Sequence, residues 1–193
     1  DDGYRDNLTE ALPVFERHGV PFTLYLTTGL PDGTAEIWWV ALERIIASAI
    51  AIHVKLPQGE IAMFTRDAAE KNAAWRKIYW ALRALPEKDL RAEIRRLAEK
   101  HDVDMGALTR ELALNWDELR QLEAHPLASI EAHTASHFAQ AGLTAHDART
   151  DIEQALKRME AERGFRPRHF SYPYGDPGSA GERDFARAEA LGF

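Results

Sequence analysis

Three short segments carry side chains whose types and spacing suit hydrolytic chemistry. The chain opens on Asp1-Asp2-Gly3-Tyr4, two adjacent carboxylates followed by a residue that permits a sharp turn. One carboxylate of such a pair can bind a divalent metal while its neighbour takes a proton. His133-Thr134-Ala135-Ser136-His137 sets two imidazoles four residues apart, which serves one metal ion if the backbone makes about one turn between them. Thr134 is placed to cap that turn or to orient a ligand from behind. Phe170-Ser171-Tyr172-Pro173-Tyr174-Gly175 leaves a strand through a proline, and its fixed backbone offers an N–H that can stabilise an oxyanion. Taken singly, each segment has a plainer alternative: an acidic turn, two surface histidines, an aromatic strand exit. Together they are the parts of a mononuclear metal hydrolase, because one Asp and two His leave coordination positions open for water and substrate.

The elements that must position these segments read as α/β. Asn7-Leu8-Thr9-Glu10 has capping-box logic, Leu8, Leu12 and Phe15 recur at helical spacing, and Gly19 ends the run, with Pro13 confining it. Val20 to Thr27 alternates as a strand with Phe22, Leu24 and Leu26 on one face. A stretch from about 31 to 126 differs in character, being rich in Ala, Glu, Arg and Leu, and is read as a mainly helical insertion. Within it the spacing predicts a helix over 35–51, a hairpin around Pro57-Gln58-Gly59-Glu60, and helices over about 67–85, 87–101, 105–113 and 116–124. Asn115 and Glu118 form a second capping-box pattern. Trp38, Trp39, Trp75, Tyr79 and Trp80 read as core packing, with stacking on sugar rings or a dimer surface as the alternative.

The scaffold then resumes with a strand over 127–132, a helix over 144–163, a strand over 169–172, a loop over 173–178 and a helix from about 182 to 191. Strands alternating with helices imply parallel pairing. Each candidate segment falls at a strand end, where such folds collect their reactive groups.

Bulk properties exclude several classes. With 193 residues, 45% hydrophobic, the chain is long enough to bury a core. A net charge of −7, without a basic patch, argues against nucleic acid as a partner. No cysteine is present, which rules out disulfides, thiolate ligands and a Cys nucleophile. No apolar run is long enough to span a bilayer. No signal peptide is visible, which leans toward the cytoplasm, although a start directly on Asp1 suggests that a lead-in strand and any targeting segment precede it.

The combined pattern resembles the polysaccharide deacetylases, also called NodB-homology or carbohydrate esterase family 4 proteins. The family's Thr-Phe-Asp-Asp-Gly motif is matched from its third residue by Asp1-Asp2-Gly3. Its His-(Ser/Thr)-x-x-His motif is matched in full by His133 to His137, and its Pro-Tyr-Gly by Pro173-Tyr174-Gly175. The resemblance covers roughly 1–30 and 127–193. It implies a distorted (β/α) barrel, here truncated at both ends, that removes acetyl groups from N-acetylated glycans of the N-acetylglucosamine type.

Carried over residue by residue, the resemblance makes Asp1 the general base and Asp2, His133 and His137 the ligands of one divalent metal ion, with Zn2+ the commonest choice and Co2+ an alternative. The Tyr174 N–H helps form the oxyanion hole, and Tyr4, Pro173, Tyr174 and Gly175 contact substrate. Two departures stand out. Ser171 occupies the place of an Arg that orients the base, with Arg166 or Arg168 as candidate replacements. The family's general-acid His belongs beyond Phe193. Two other activities fit the same resemblance: a carbohydrate-binding pseudo-enzyme, and a cyclic-amide hydrolase on the same fold. His18, His53, His101, His125, His146 and His169 match no motif and read as surface or structural.

Overall fold

The structure, a computed structural model, describes residues 1–193. In chain order, a π-type turn at Asn7–Ala11 leads into α1 (Leu12–His18) and β1 (Phe22–Leu26). Then come α2 (Trp38–Ser48), a hairpin of β2 (Ala51–Leu56) and β3 (Gly59–Phe64), and four helices: α3 (Ala68–Arg83), α4 (Glu87–Lys100), α5 (Met105–Leu112) and α6 (Trp116–Glu123). The chain ends with β4 (Ala128–Ala132), a short 3-10 turn at Gln140–Gly142, α7 (Ala145–Arg163) and α8 (Glu182–Ala190). It divides into two units, one of residues 1–36 and 109–193, the other of Ile37–Leu108. The division falls inside the 31–126 stretch singled out by composition, and residues 109–126 belong with the two chain ends.

The first unit is built on parallel pairing. β1 and β4 run parallel in register from Phe22 opposite Ala128 to Leu26 opposite Ala132. A parallel bridge joins Asp2 to Leu26 on one side, and another joins Ala132 to Phe170 on the other. Four segments thus lie side by side in the order in which the chain visits them, as the wall of a (β/α) barrel does. The alternation in β1 sends Leu24 and Leu26 inward, where they meet Ile130, Leu114, Leu119, Leu122 and Met159. Phe22 packs at the edge of that cluster.

Local chemistry explains the helix limits. Pro13 sits two residues into α1, just past the π-type turn, and Gly19 closes the helix at φ 63°. Thr144 caps α7 by accepting the Asp147 N–H at 3.1 Å, and Gly164 ends it at φ 76°. Asn115 and Glu118 form the reciprocal cap of α6 that their spacing predicts.

Three expectations change. The capping box at Asn7 does not form: the turn starts at Asp6 without a side-chain cap, and the Asn7 amide donates back to the Tyr4 carbonyl at 3.0 Å. The helix expected over 35–51 covers only Trp38–Ser48, because Ala49 turns to an extended conformation and Ala51 enters β2. The strand expected over 169–172 shortens to the single bridge at Phe170. Both preceding amides, Arg168 and His169, donate to the Glu131 carboxylate at 2.7 and 2.9 Å, and Pro173 has no N–H to extend the ladder.

The second unit packs α2, α3 and α4 with the antiparallel hairpin β2–β3. Trp38 is fully buried in it. Tyr79 stacks between Trp38 and Trp75, at 5.2 and 4.8 Å between ring centroids. Trp80 is 59% exposed, so the aromatic set divides between core and surface.

Candidate active site

The first strand-like segment places Asp2 beside β1. The Asp2 carbonyl accepts the Thr27 N–H at 2.9 Å. Asp2 itself holds φ 65°, unusual for a residue with a side chain, and Gly3 holds φ 112°. The positive φ favours glycine here, and a Cβ at Gly3 would also push on the Leu26 Cδ1 methyl, 2.7 Å away.

The second segment follows β4. The His133 N–H donates to the Leu26 carbonyl at 3.0 Å, and the Thr27 hydroxyl donates to the His133 carbonyl at 3.1 Å. The backbone then turns sharply, with Thr134 at φ 68° and His137 at φ 56°. Thr134 caps this turn as its position suggests: its hydroxyl oxygen accepts the His137 N–H at 3.0 Å. Two further bonds tie the turn to the loop after β1, from Thr28 N–H to the Thr134 carbonyl and from Gly29 N–H to the Ala135 carbonyl, at 3.2 and 2.9 Å.

These two segments, more than 130 positions apart in sequence, converge. Asp2 Oδ1 lies 3.2 Å from His133 Nε2 and 3.0 Å from His137 Nε2. The three potential ligand atoms all fall within 4.8 Å of one another. Both histidines are buried. Burial pushes the Asp2 carboxyl up, but two imidazoles this close, when they carry a proton toward it, outweigh burial and hold it well below the usual carboxylate range.

The donor set fits a divalent cation. His133 Nδ1 lies 2.8 Å from the Ser171 carbonyl, an acceptor, so that nitrogen carries the proton. A neutral His133 ring therefore turns a bare Nε2 lone pair toward the Asp2 oxygen, and this buried nitrogen makes no hydrogen bond. Two acceptors facing each other at that distance are stable only with a proton or a cation between them. Two imidazoles and one carboxylate are a common donor set for zinc in hydrolases.

The remaining sequence candidates are placed as follows. Asp1 is exposed next to Asp2, and its carbonyl accepts the Gly3 N–H at 2.7 Å. Tyr4 is bridged through its backbone to Ala113. The Tyr174 ring meets His137 edge-on, 4.6 Å between centroids, so the third segment does reach the histidine loop. Tyr174 and Gly175 hold φ 68° and 70° after a buried Pro173. The Arg166 guanidinium is engaged by the Leu191 carbonyl and by Glu160, and the Arg168 backbone bonds to Glu131.

Sequence reasoning missed three supports. Ser171 acts through its carbonyl, which leaves no trace in residue type. Gly29 acts through its amide. Asp151, buried on α7 and bonded to the histidine loop, did leave a signal, since it lies among Ala148, Ile152 and Ala155 on the inward stripe of that helix.

Comparison with known proteins bears on the fold and the family. No curated protein matches the chain. Among solved structures, IcaB from Ammonifex degensii shares its fold at 14% identity with a TM-score of 0.52, over 100% of this chain and 55% of that one. The BpsB deacetylase domain from Bordetella bronchiseptica does so at 14% identity and a TM-score of 0.52, over 100% of this chain and 59% of that one. The chain thus spans little more than half the length of these structures. The family model described as polysaccharide deacetylase matches residues 55–192. That match takes in the histidine and Pro-Tyr-Gly segments, and it includes most of the stretch set apart by composition. The chain belongs to the polysaccharide deacetylase family.

Proposed function

We propose that this chain forms the metal-holding part of a hydrolase that removes N-acetyl groups from N-acetylglucosamine-type glycans and releases acetate. The observation that carries this reading is the convergence of Asp2, His133 and His137 around one buried point. Membership of the family supports the reaction class. In this reading those three side chains hold a divalent ion, most simply Zn2+, which supplies polarisation of the acetamide carbonyl and of water.

The chain's own residues do the rest. Asp1, exposed beside the ligand Asp2, takes the proton of the attacking water. The Tyr174 N–H donates to the oxygen on which negative charge develops. Ser171 keeps the His133 proton on Nδ1 and so keeps its other nitrogen free for the ion. Tyr4, Pro173, Tyr174 and Gly175 form the surface against which the sugar rests.

The test is acetate release from N-acetylglucosamine oligomers by the full chain with metal loaded, repeated after chelation. About one metal equivalent, with acetate release that chelation abolishes, supports the reading. Glycan affinity without turnover in the full-length protein makes it a binding module instead, and hydrolysis of cyclic amides by metal-free protein assigns it to that other chemistry.

A further inference from the structure

The His133–His137 loop is held from below by a single carboxylate on another element. Asp151 lies in the second turn of α7 and is only 5% exposed. Its Oδ1 accepts the Ser136 N–H at 2.9 Å, and its Oδ2 accepts the Gln140 amide at 3.1 Å. The nearby hydroxyls of Ser136 and Thr134 favour its charged form. Beside these contacts, the Thr134 hydroxyl oxygen accepts the His137 N–H at 3.0 Å.

This arrangement answers a question that the backbone raises. Thr134 is β-branched and sits at φ 68°, and His137 sits at φ 56°. Such conformations cost on the order of 1–3 kcal/mol each and persist only where surrounding contacts fix them. Asp151 collects donors from the stretch that contains both residues. A buried carboxylate is itself costly unless its oxygens are well bonded, and the loop supplies those donors. The loop needs the carboxylate and the carboxylate needs the loop.

We propose that Asp151 is a positioning residue that locks the His133–His137 turn in the conformation aiming both imidazoles at Asp2. The inference rests on the reading that these three side chains hold a metal ion. Asp151 touches neither the ion nor the substrate in this role. It acts through Thr134 and Ser136 on the orientation of His137.

The experiment compares the full chain with Asp151→Ala, Asp151→Asn and Leu119→Ala. Leu119 is buried in the core cluster, so its truncation measures the effect of lost stability alone. Two quantities are read: Zn2+ affinity by chelator competition, and hydrogen exchange of the Ser136 and His137 amides in metal-free protein. Asp151→Ala is expected to weaken Zn2+ binding roughly 10–100-fold and to speed exchange at both amides by about 100-fold or more, with α7 still protected. Asp151→Asn is expected to fall between, since its amide oxygen still accepts the Ser136 N–H and a flipped Gln140 side chain can meet its NH2. Leu119→Ala should leave affinity within about twofold for the folded fraction.

Unchanged protection at Ser136 and His137 in Asp151→Ala overturns the proposal whether or not metal binds. So does an affinity loss no larger than that of Leu119→Ala. A parent chain that binds no metal refutes the metal reading, and the exchange data then decide the role of Asp151 by themselves.

Discussion

Gly29 offers the sharpest test of how the loop after β1 sets the site. Its N–H donates to the Ala135 carbonyl at 2.9 Å. An added Cβ would lie 2.4 Å from that oxygen, 2.9 Å from Ala35 Cβ and 3.0 Å from Thr34 Oγ1. Gly29 is outside the left-handed region, so alanine carries no backbone strain there and the effect of Gly29→Ala is crowding alone. Two of the three contacts are with backbone oxygen or a Cβ, which cannot rotate away. Restoring ordinary contact to the Ala135 oxygen requires about 1 Å of movement. Ala135 lies midway between His133 and His137, so that movement falls on the two imidazoles.

Overpacking of this kind costs about 1–3 kcal/mol. For a chain of this size that lowers Tm by roughly 2–12 °C. Misplacement by about 1 Å is enough to reduce turnover by around 100-fold, and metal affinity should fall by about 10-fold or more. The assays are calorimetry and Zn2+ competition against a chelator, with Gly142→Ala as control, because a Cβ at 142 meets nothing within 4 Å. That control should stay within about 0.5 kcal/mol of the parent. If Gly29→Ala matches the control in both Tm and Zn2+ affinity, the close packing of these two loops does not set the ligand geometry.

Two other perturbations probe the scaffold. Ile130 is 1% exposed among Leu24, Leu26 and Leu122, so Ile130→Ala should cost about 2–5 kcal/mol, measured by denaturant titration; a loss below about 1 kcal/mol would mean that the cluster collapses around the gap. For Asp32, burial pushes the carboxyl up, but bonds from Arg158 and Trp116 outweigh it and hold the group below its ordinary value. Its contribution is therefore present above the unfolded-state pKa and is lost as pH falls through the lower folded value. With Arg158 about a third exposed, Asp32→Asn should cost only about 1 kcal/mol at pH 7, and the gap to the parent should close below about pH 4. A gap that widens on acidification contradicts this sign.

Much of the scaffold was legible because its elements bury one face of a regular repeat. Leu24 and Leu26 alternate in β1, and the inward stripe of α7 repeats at helical spacing, so pattern and packing agree. The boundaries that sequence reading missed are those decided by competition for backbone groups. Glu131 takes the amides of Arg168 and His169, and a strand that reads well by composition is left with a single bridge. At Asn7, the side chain bonds backwards to Tyr4, so a residue suited to capping does not cap.

The site divides in the same way, between side chains and backbone. The convergence of Asp2, His133 and His137 was legible because a metal-binding pattern calls for particular side chains, and those are written in the sequence. What aims them is mostly backbone: the Ser171 carbonyl on His133 Nδ1, the Thr27 N–H on the Asp2 carbonyl, the Gly29 N–H on Ala135. Ser171 makes the point most clearly. Its position attracts notice because it lacks the Arg that the family resemblance leads one to look for, yet the bond to His133 is made by its main chain. Any residue at 171 presents the same carbonyl so long as the bridge between Ala132 and Phe170 holds the strand in register. Support for the His133 ring is thus independent of the side chain at 171.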